Sequence, residues 1–316
     1  MHYKIVVMHV MLFILPAMNK LTLARCSGRM ANQIWMVANI IAFAKENNLQ
    51  VHAPFFLKIA ANFEYWNHQT LITIDQKGIP NNWLRKYFYF LYQSGIMDLI
   101  KPHVNLMPGP INKLLLRRKS QTIHKVYFND TEYASVTNSI IANKHTLLSG
   151  FMFCSSVKLM KENGGFLRHI FKPQSSVQLY LKNKISEIKA GHILVGVHIR
   201  RGDYKYYRNG AFYFPFEFYA GKMVEIQQLL DKPVQFVLCS DETIPSELFK
   251  RFELLNHTKS DAVTDMYMLA KCAYIIAPPS TYSKWASFYG EVLLANVSET
   301  PLTLKQFKVY YNHYEE

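Results

Sequence analysis

From about residue 175 onward, apolar runs and helical repeats alternate with a regularity that the first half only approaches. Ile193–Ile199 (ILVGVHI) is apolar except for His198 and predicts a buried strand. Val234–Cys239 and Tyr274–Ala277 predict two more. Val177–Lys189, Phe216–Leu230, Ser246–Leu255, Ala262–Cys272 and Ser283–Tyr289 read as the intervening helices. Strands alternating with helices of these lengths predict a parallel sheet covered on both faces. Near the start, LTLARC is extended, with a strand over Leu21–Ala24, and Ser27-Gly28-Arg29 turns. NQIWMVANIIAFAKENN then spaces Ile34, Val37, Ile41 and Ala44 as one helical face before Asn47-Asn48 break it. LQVHAP is the next strand, which completes a strand–helix–strand unit. Between about residues 53 and 145 the pattern is coarser: NNWLRKYFYFLYQSGIMDLI predicts an aromatic-rich helix, and HKVYF and HTLLSGFMF two strands. Gly164-Gly165 and Lys172-Pro173 mark a junction, so two α/β domains are expected, 18–160 and 161–316. Residues 1–17 stand apart. Ile5–Met18 is apolar but short for a membrane span, which reads as an over-long start or a weak signal or anchor segment.

Composition narrows the class. Half of the 316 residues are apolar and 14% aromatic, enough for a full core. The formal net charge of +14 points to an anionic partner: a nucleotide, a nucleic acid or a membrane surface. The basic residues are dispersed and carry no recognisable RNA-binding motif, which weighs against nucleic acid. The densest basic run, KLLLRRKS at Lys113–Ser120, fits either a solvated helix face or an anionic membrane surface. Cys26, Cys154, Cys239 and Cys272 are far apart with no C-x-x-C pair, which argues against zinc and against a disulfide scaffold. The expected location is cytoplasmic and membrane-associated; a membrane-anchored, lumenal enzyme is the alternative if Ile5–Met18 is an anchor.

Ligands of doubly wound sheets bind outside the carboxyl ends of the strands, and three predicted strands end in polar clusters. The first runs into His198, Arg200, Arg201, Gly202 and Asp203. A guanidinium is a permanently charged planar fork that matches phosphate oxygens, so one arginine on a diphosphate and one on a carboxylate would explain the pair. A structural Arg–Asp pair is the alternative. The second ends in Ser240-Asp241-Glu242, where Asp241 could accept from a base edge or sugar hydroxyls, or cap the next helix. The third places Ser280, Thr281 and Ser283 at a helix start, suited to an anion or to capping alone. CSGRMANQ, with Gly28 and Asn32, is a phosphate-type turn that lacks both G-x-G-x-x-G and the Walker lysine. No D-x-D, H-E-x-x-H, G-x-S-x-G or kinase motif occurs.

Together these stretches resemble glycosyltransferase family 11, the α-1,2-fucosyltransferases. VHIRRGDY is similar to its His-x-Arg-Arg-Gly-Asp-Tyr motif and GRMANQ to its Gly-Arg-x-Gly-Asn-Gln motif; FVLCSDE and PPSTYSKWASFYG sit where its later motifs belong. The resemblance implies a GT-B fold, two Rossmann-like domains facing across a cleft, with 18–160 on the acceptor side and 161–316 binding the GDP-sugar. It implies no metal and no cofactor beyond GDP-fucose as donor. Arg200 would hold the β-phosphate, and His198 and Asp241 the nucleotide. Ser280, Thr281 and Ser283 would lie near the diphosphate, with Gly28 and Asn32 facing the donor. Arg201 would pair with Asp203. The activity implied is inverting transfer of L-fucose to a hydroxyl of a galactose-type acceptor glycan or lipid-linked oligosaccharide, with Phe55–Ser149 carrying specificity. Asp203 is the nearest candidate base and Glu217 the next. Alternatives are another nucleotide sugar as donor, or a basic nucleic-acid-binding protein. Ala31 replaces the family's usual glycine; Pro278-Pro279 and Lys284 replace its more common Asn-Ser and tryptophan.

Overall fold

The computed structural model describes residues 19–23, 28–53, 56–64, 72–73, 120–123, 138, 140–141, 145–148, 155–258 and 261–315. They belong to two compact units: one takes residues up to Ala61 and from Trp66 to Leu159, the other Asn62–Tyr65 and Met160–Glu316. The N-terminal apolar segment, the aromatic-rich helix and HKVYF lie outside the described residues, as does the basic run apart from Ser120.

In the first unit, β1 (Lys20–Leu23), β2 (Gln50–His52), β3 (Ile72–Thr73), β4 (Ser120–Ile123) and β5 (His145–Leu148) form one sheet in the order β3-β2-β1-β5-β4. Every pairing is parallel. Helix α1 (Met30–Glu46) returns the chain from β1 to β2. The repeat of Ile34, Val37, Ile41 and Ala44 predicts one buried face, yet everything from Ile34 to Ala44 is buried. A helix apolar all round belongs inside. Its one polar residue there, Asn39, is satisfied: Oδ1 accepts from the Ser155 N–H and hydroxyl, both at 2.8 Å, and Nδ2 donates to the Trp35 carbonyl. The helix stops at Asn47, and Asn48 takes a left-handed conformation (φ 49°). A short turn of helix, α2 (Leu57–Ala60), follows β2.

The second unit holds β6 (Ile193–Ile199), β7 (Val234–Ser240), β8 (Tyr274–Ala277) and β9 (Leu293–Asn296), all parallel in the order β7-β6-β8-β9. β6 and β8 coincide with the predicted strands, whereas β9 was not expected. Helix α3 (Val157–Glu162) contains the boundary at Leu159–Met160, and the helices after it are α4 (Gly164–Ile170), α5 (Ser175–Ser186), α6 (Phe216–Leu229), α7 (Ser246–Phe249), α8 (Ala262–Leu269) and α9 (Thr281–Gly290). Gly164-Gly165, read from the sequence as marking a junction, open α4, because Leu167 and Ile170 bury completely and that burial outweighs glycine's helix penalty. The helix predicted over Ser246–Leu255 ends at Phe249. Beyond it the chain runs along β7, the edge strand, with Phe236 N donating to Glu253 O (2.8 Å) and Leu255 N to Phe236 O (2.7 Å). Pairing an open sheet edge overrides the helical pattern there.

Val195, Val197, Ile199, Tyr219, Met223, Ile226, Phe236 and Phe249 pack into one core. Gly196 lets α8 sit down on β6: a Cβ there would lie 2.6 Å from Leu269 Cδ2 and 3.0 Å from Cys272 Sγ. Among the described residues no helix is long and apolar enough to cross a membrane.

Candidate functional site

Because β6 lies between β7 and β8 and all run the same way, their carboxyl ends finish side by side. A buried strand thus carries His198 and delivers Arg200 to one rim of the sheet, where Asp241 and the Pro279-Ser280 corner also arrive.

The two arginines have different surroundings. Arg200 donates from Nε and Nη2 to the two oxygens of Asp203, at 3.1 and 2.9 Å, and lies over the Tyr204 ring at 5.0 Å. Burial works against its charge, but Asp203, helped by Tyr204 and Asp241, outweighs it and raises the guanidinium above its ordinary pKa. Arg201 donates to Glu242 (2.8 Å), the Phe214 carbonyl (2.7 Å) and the Tyr213 hydroxyl (2.6 Å). Its plane also stacks within 4.5 Å of the Tyr213 and Phe216 ring centres. The expected Arg201–Asp203 pair is therefore wrong. The 3-10 turn at Asp203–Lys205 brings Asp203 back under Arg200, three residues earlier, while Arg201 turns toward Glu242.

Asp241 has partners in the loop backbone. Its Oδ1 accepts from the backbone N–H groups of Arg201 (2.8 Å) and Gly202 (3.3 Å), so it holds the loop that presents the arginines. It does not cap the next helix, whose N-cap is Pro245. Gly202 is tight against it: a Cβ there would lie 3.1 Å from Asp241 Oδ2.

His198 is 5% exposed, stacks on Tyr282 at 4.8 Å, and has a buried Nδ1 with no hydrogen-bond partner among the described residues. Burial, with the Arg200 charge adding to it, pushes its pKa down to about 3, so the ring is neutral. Ser280 caps α9, its hydroxyl accepting from Tyr282 N (3.1 Å). The buried Ser283 hydroxyl donates to Ser280 O (3.2 Å), and Thr281 opens the helix. Tyr204 ties this corner to the arginine turn by donating to Pro279 O (2.6 Å). The second unit thus brings together His198, Arg200, Arg201, Asp203, Asp241, Ser280, Thr281 and Ser283. Glu217 sits in the first turn of α6, exposed.

Gly28 and Asn32 belong to the first unit, at the turn into α1. Gly28 has φ 82°, and a Cβ there would lie 2.4 Å from Asn32 Nδ2, so only glycine fits. Its carbonyl accepts from Gln33 Nε2 at 2.8 Å. Of the departures from the resembled family, Ala31 is buried in α1. Lys284 is buried in α9 and donates to the carbonyls of His313 (3.1 Å) and Glu315.

Sequence reading missed a polar network beside β7. His257 Nε2 meets Asp265 Oδ1 at 2.7 Å, and Nδ1 meets the Tyr180 hydroxyl at 3.0 Å. A carboxylate only accepts, so Nε2 donates to Asp265, and Nδ1 shares the second contact with the Tyr180 hydroxyl. Cys239, His257 and Asp265 are the group among the described residues whose ligand atoms, within 4.8 Å of one another, could hold a metal ion. Burial raises the Cys239 thiol well above its ordinary pKa, which favours the protonated form. No local motif joins positions 180, 239, 257 and 265; only the fold does.

No family model and no curated protein matches the chain in sequence. Solved structures do match its fold. A point mutant of Arabidopsis thaliana FUT1 in complex with GDP has a TM-score of 0.57 at 11% identity, over 92% of this chain and 73% of that one. The fucosyltransferase NodZ from Bradyrhizobium has a TM-score of 0.52 at 14% identity, over 89% and 96%. POFUT1 in complex with GDP has a TM-score of 0.51 at 13% identity, over 90% and 100%. The chain has the α/β architecture of these GT-B-type proteins.

Proposed function

We propose that the protein is an inverting, metal-independent fucosyltransferase that moves L-fucose from GDP-fucose to a hydroxyl of a galactose-type glycan, with α-1,2 linkage as in family 11. The observation that carries this is Arg200: a guanidinium fixed at the end of a buried strand and held by one local carboxylate. The shared fold supports it, because the matched structures include proteins solved with GDP.

Leaving of GDP puts negative charge on the β-phosphate oxygens. Arg200 faces that charge with a cation that cannot be titrated away, electrostatic help that is often the largest catalytic contribution. Asp203 holds the Nε and Nη2 edge of the guanidinium, and a diphosphate that takes the same edge binds by exchange, carboxylate for phosphate. Displaced from the Arg200 guanidinium, Asp203 stands beside the reaction as the carboxylate to take the proton of the acceptor hydroxyl. The free end of α9, with Thr281 and the capping Ser280, suits the second phosphate. Ser283 shapes that corner, and Asp241 and Arg201 hold the loop. The unpaired Nδ1 of His198 suits a polar group of the nucleotide. For Gly28 and Asn32 the proposal rests on the resemblance alone. Residence in the cytoplasm beside an anionic membrane, and a galactose-terminated or lipid-linked acceptor, belong to the same proposal.

The test is GDP release from GDP-fucose in EDTA, against galactose-terminated acceptors, for wild type and Arg200→Ala. Activity in chelator that the mutant loses is the expected result. A wild type that neither turns over nor is thermally stabilised by GDP overturns the donor, and a panel of UDP and CDP sugars then decides between donors.

A further inference from the structure

A ladder of rings runs outward from Arg200 along the segment that follows it. Arg200 lies over Tyr204, which is buried and locked by its hydrogen bond to Pro279 O. Tyr207 stacks on Tyr204, centroids 5.5 Å apart and planes 26° apart. Phe212 closes the cluster, 6.2 Å from Tyr204 and 6.4 Å from Tyr207. Unlike the rings beneath, Tyr207 is 47% exposed and its neighbour Tyr206 77%.

The backbone beyond these rings is unusual. Arg208 (φ 48°), Asn209 (φ 56°) and Gly210 (φ 78°) are left-handed in succession. For a non-glycine residue that conformation costs on the order of 1–3 kcal/mol and concentrates at functional sites. Its effect is to fold Arg208 back, its guanidinium 5.7 Å from the Tyr207 ring centre and 6.0 Å from that of Phe212. A strained loop therefore holds a flat ring, partly open to solvent and rimmed by a forked donor, two ring contacts from Arg200.

We propose that Tyr207, with Arg208 at its edge, forms the subsite for the acceptor sugar, a neutral pyranose; this rests on the fucosyltransferase reading. A pyranose has one face of C–H groups and a rim of hydroxyls. A rigid aromatic ring covers the face at little entropic cost, and a guanidinium donates to the rim. Position agrees with chemistry. Asp203, the carboxylate that takes the acceptor's proton, opens the same turn that carries Tyr204. A nucleotide base is the other flat partner such a ring could take, and the two differ in what a mutation weakens.

The experiment uses the full chain. Acceptor KM is measured with a galactose-terminated oligosaccharide, GDP affinity by calorimetry, and binding of a panel of neutral glycans by saturation-transfer NMR. The variants are Tyr207→Ala, Tyr207→Phe, Tyr207→Leu and Arg208→Ala, with the exposed Leu304→Ala as surface control. Expected are a rise in acceptor KM of about tenfold for Tyr207→Ala and Tyr207→Leu, and of about threefold for Arg208→Ala. Tyr207→Phe keeps the wild-type value, and GDP affinity stays within about twofold throughout. Leucine retains an apolar contact with Tyr204, so a loss seen in both Ala and Leu variants reports the flat ring rather than the fold. An unchanged acceptor KM in Tyr207→Ala overturns the subsite, and so does a matching loss of GDP affinity, which would put a base on the ring. Wild-type GDP binding without any glycan binding overturns the subsite alone. Glycan binding that needs Tyr207 in a protein that ignores GDP sustains the sugar site and overturns the donor reading.

Discussion

Arg200 and Arg201 are neighbours at the end of one strand, and their surroundings differ in kind. On the Arg201 side, a carboxylate from the β7 end, a backbone carbonyl and a tyrosine hydroxyl share one guanidinium between two aromatic rings. On the Arg200 side, a single carboxylate three residues away accepts from Nε and Nη2. A backbone carbonyl in a packed loop cannot yield its place to a ligand, whereas a local side-chain partner can. Of two residues of the same type in one motif, one thus has a packed set of partners and the other a single local one, and the division depends on what the fold delivers to each.

Mutation of each arginine is the sharpest way to break this contrast. Arg200→Ala is expected to lower kcat a hundredfold or more, about 3 kcal/mol of transition-state stabilisation, with little change in melting temperature. Arg201→Ala is expected to do the reverse in emphasis. It strips hydrogen bonds from Glu242, Tyr213 and Phe214, and the fold loses about 2 kcal/mol, a figure already discounted for the partly exposed Glu242. Parallel denaturation and kinetics on the two variants measure this; equal stability losses would end the distinction.

Acidification probes the strand beneath both. His198 has its pKa lowered from 6.5 to about 3 in the fold, by burial first and Arg200 second. His313 is lowered in the same way by burial and Lys284. As pH falls below 6.5, the unfolded chain takes up protons that the folded chain refuses until near pH 3. Stability is therefore full above that range and declines steadily through it. His198→Asn is expected to make the fall less steep between pH 6.5 and 5, as read from melting temperature; an unchanged slope would mean that His198 is solvated.

Asp241→Ala should give the smallest effect and the one shared by both arginines. Removing the acceptor for the Arg201 and Gly202 N–H groups costs about 1 kcal/mol and loosens the loop. Asp241→Asn retains the accepting oxygen, so its stability should return close to wild type. A nucleotide affinity lost in Asp241→Asn with stability intact would give Asp241 a direct ligand role besides.

Legibility followed locality. Ile193–Ile199 and Tyr274–Ala277 are apolar runs bounded by turn residues, and the structure keeps both ends of each. The Ser280 cap was legible for the same reason: its partner, Tyr282, is two residues on. The helix over Ser246–Leu255 failed because Glu253 and Leu255 hydrogen-bond to Phe236 on the sheet edge, a competitor no local window contains. That Gly164-Gly165 open α4 was not legible either, since the burial that recruits them into a helix is tertiary.

The amino-acid order by itself determined that parallel strands would end in His198, Arg200, Asp241 and Ser280, because side-chain period, turn chemistry and capping act over a few residues. Only the tertiary structure decided which carboxylate each arginine holds, that Asp241 serves the loop backbone, and that Tyr180, His257 and Asp265 meet at all. The physical reason is one of range. Hydrogen bonds and ion pairs act at about 3 Å, and residues far apart in the chain come within that distance only after the sheet and its helices have packed.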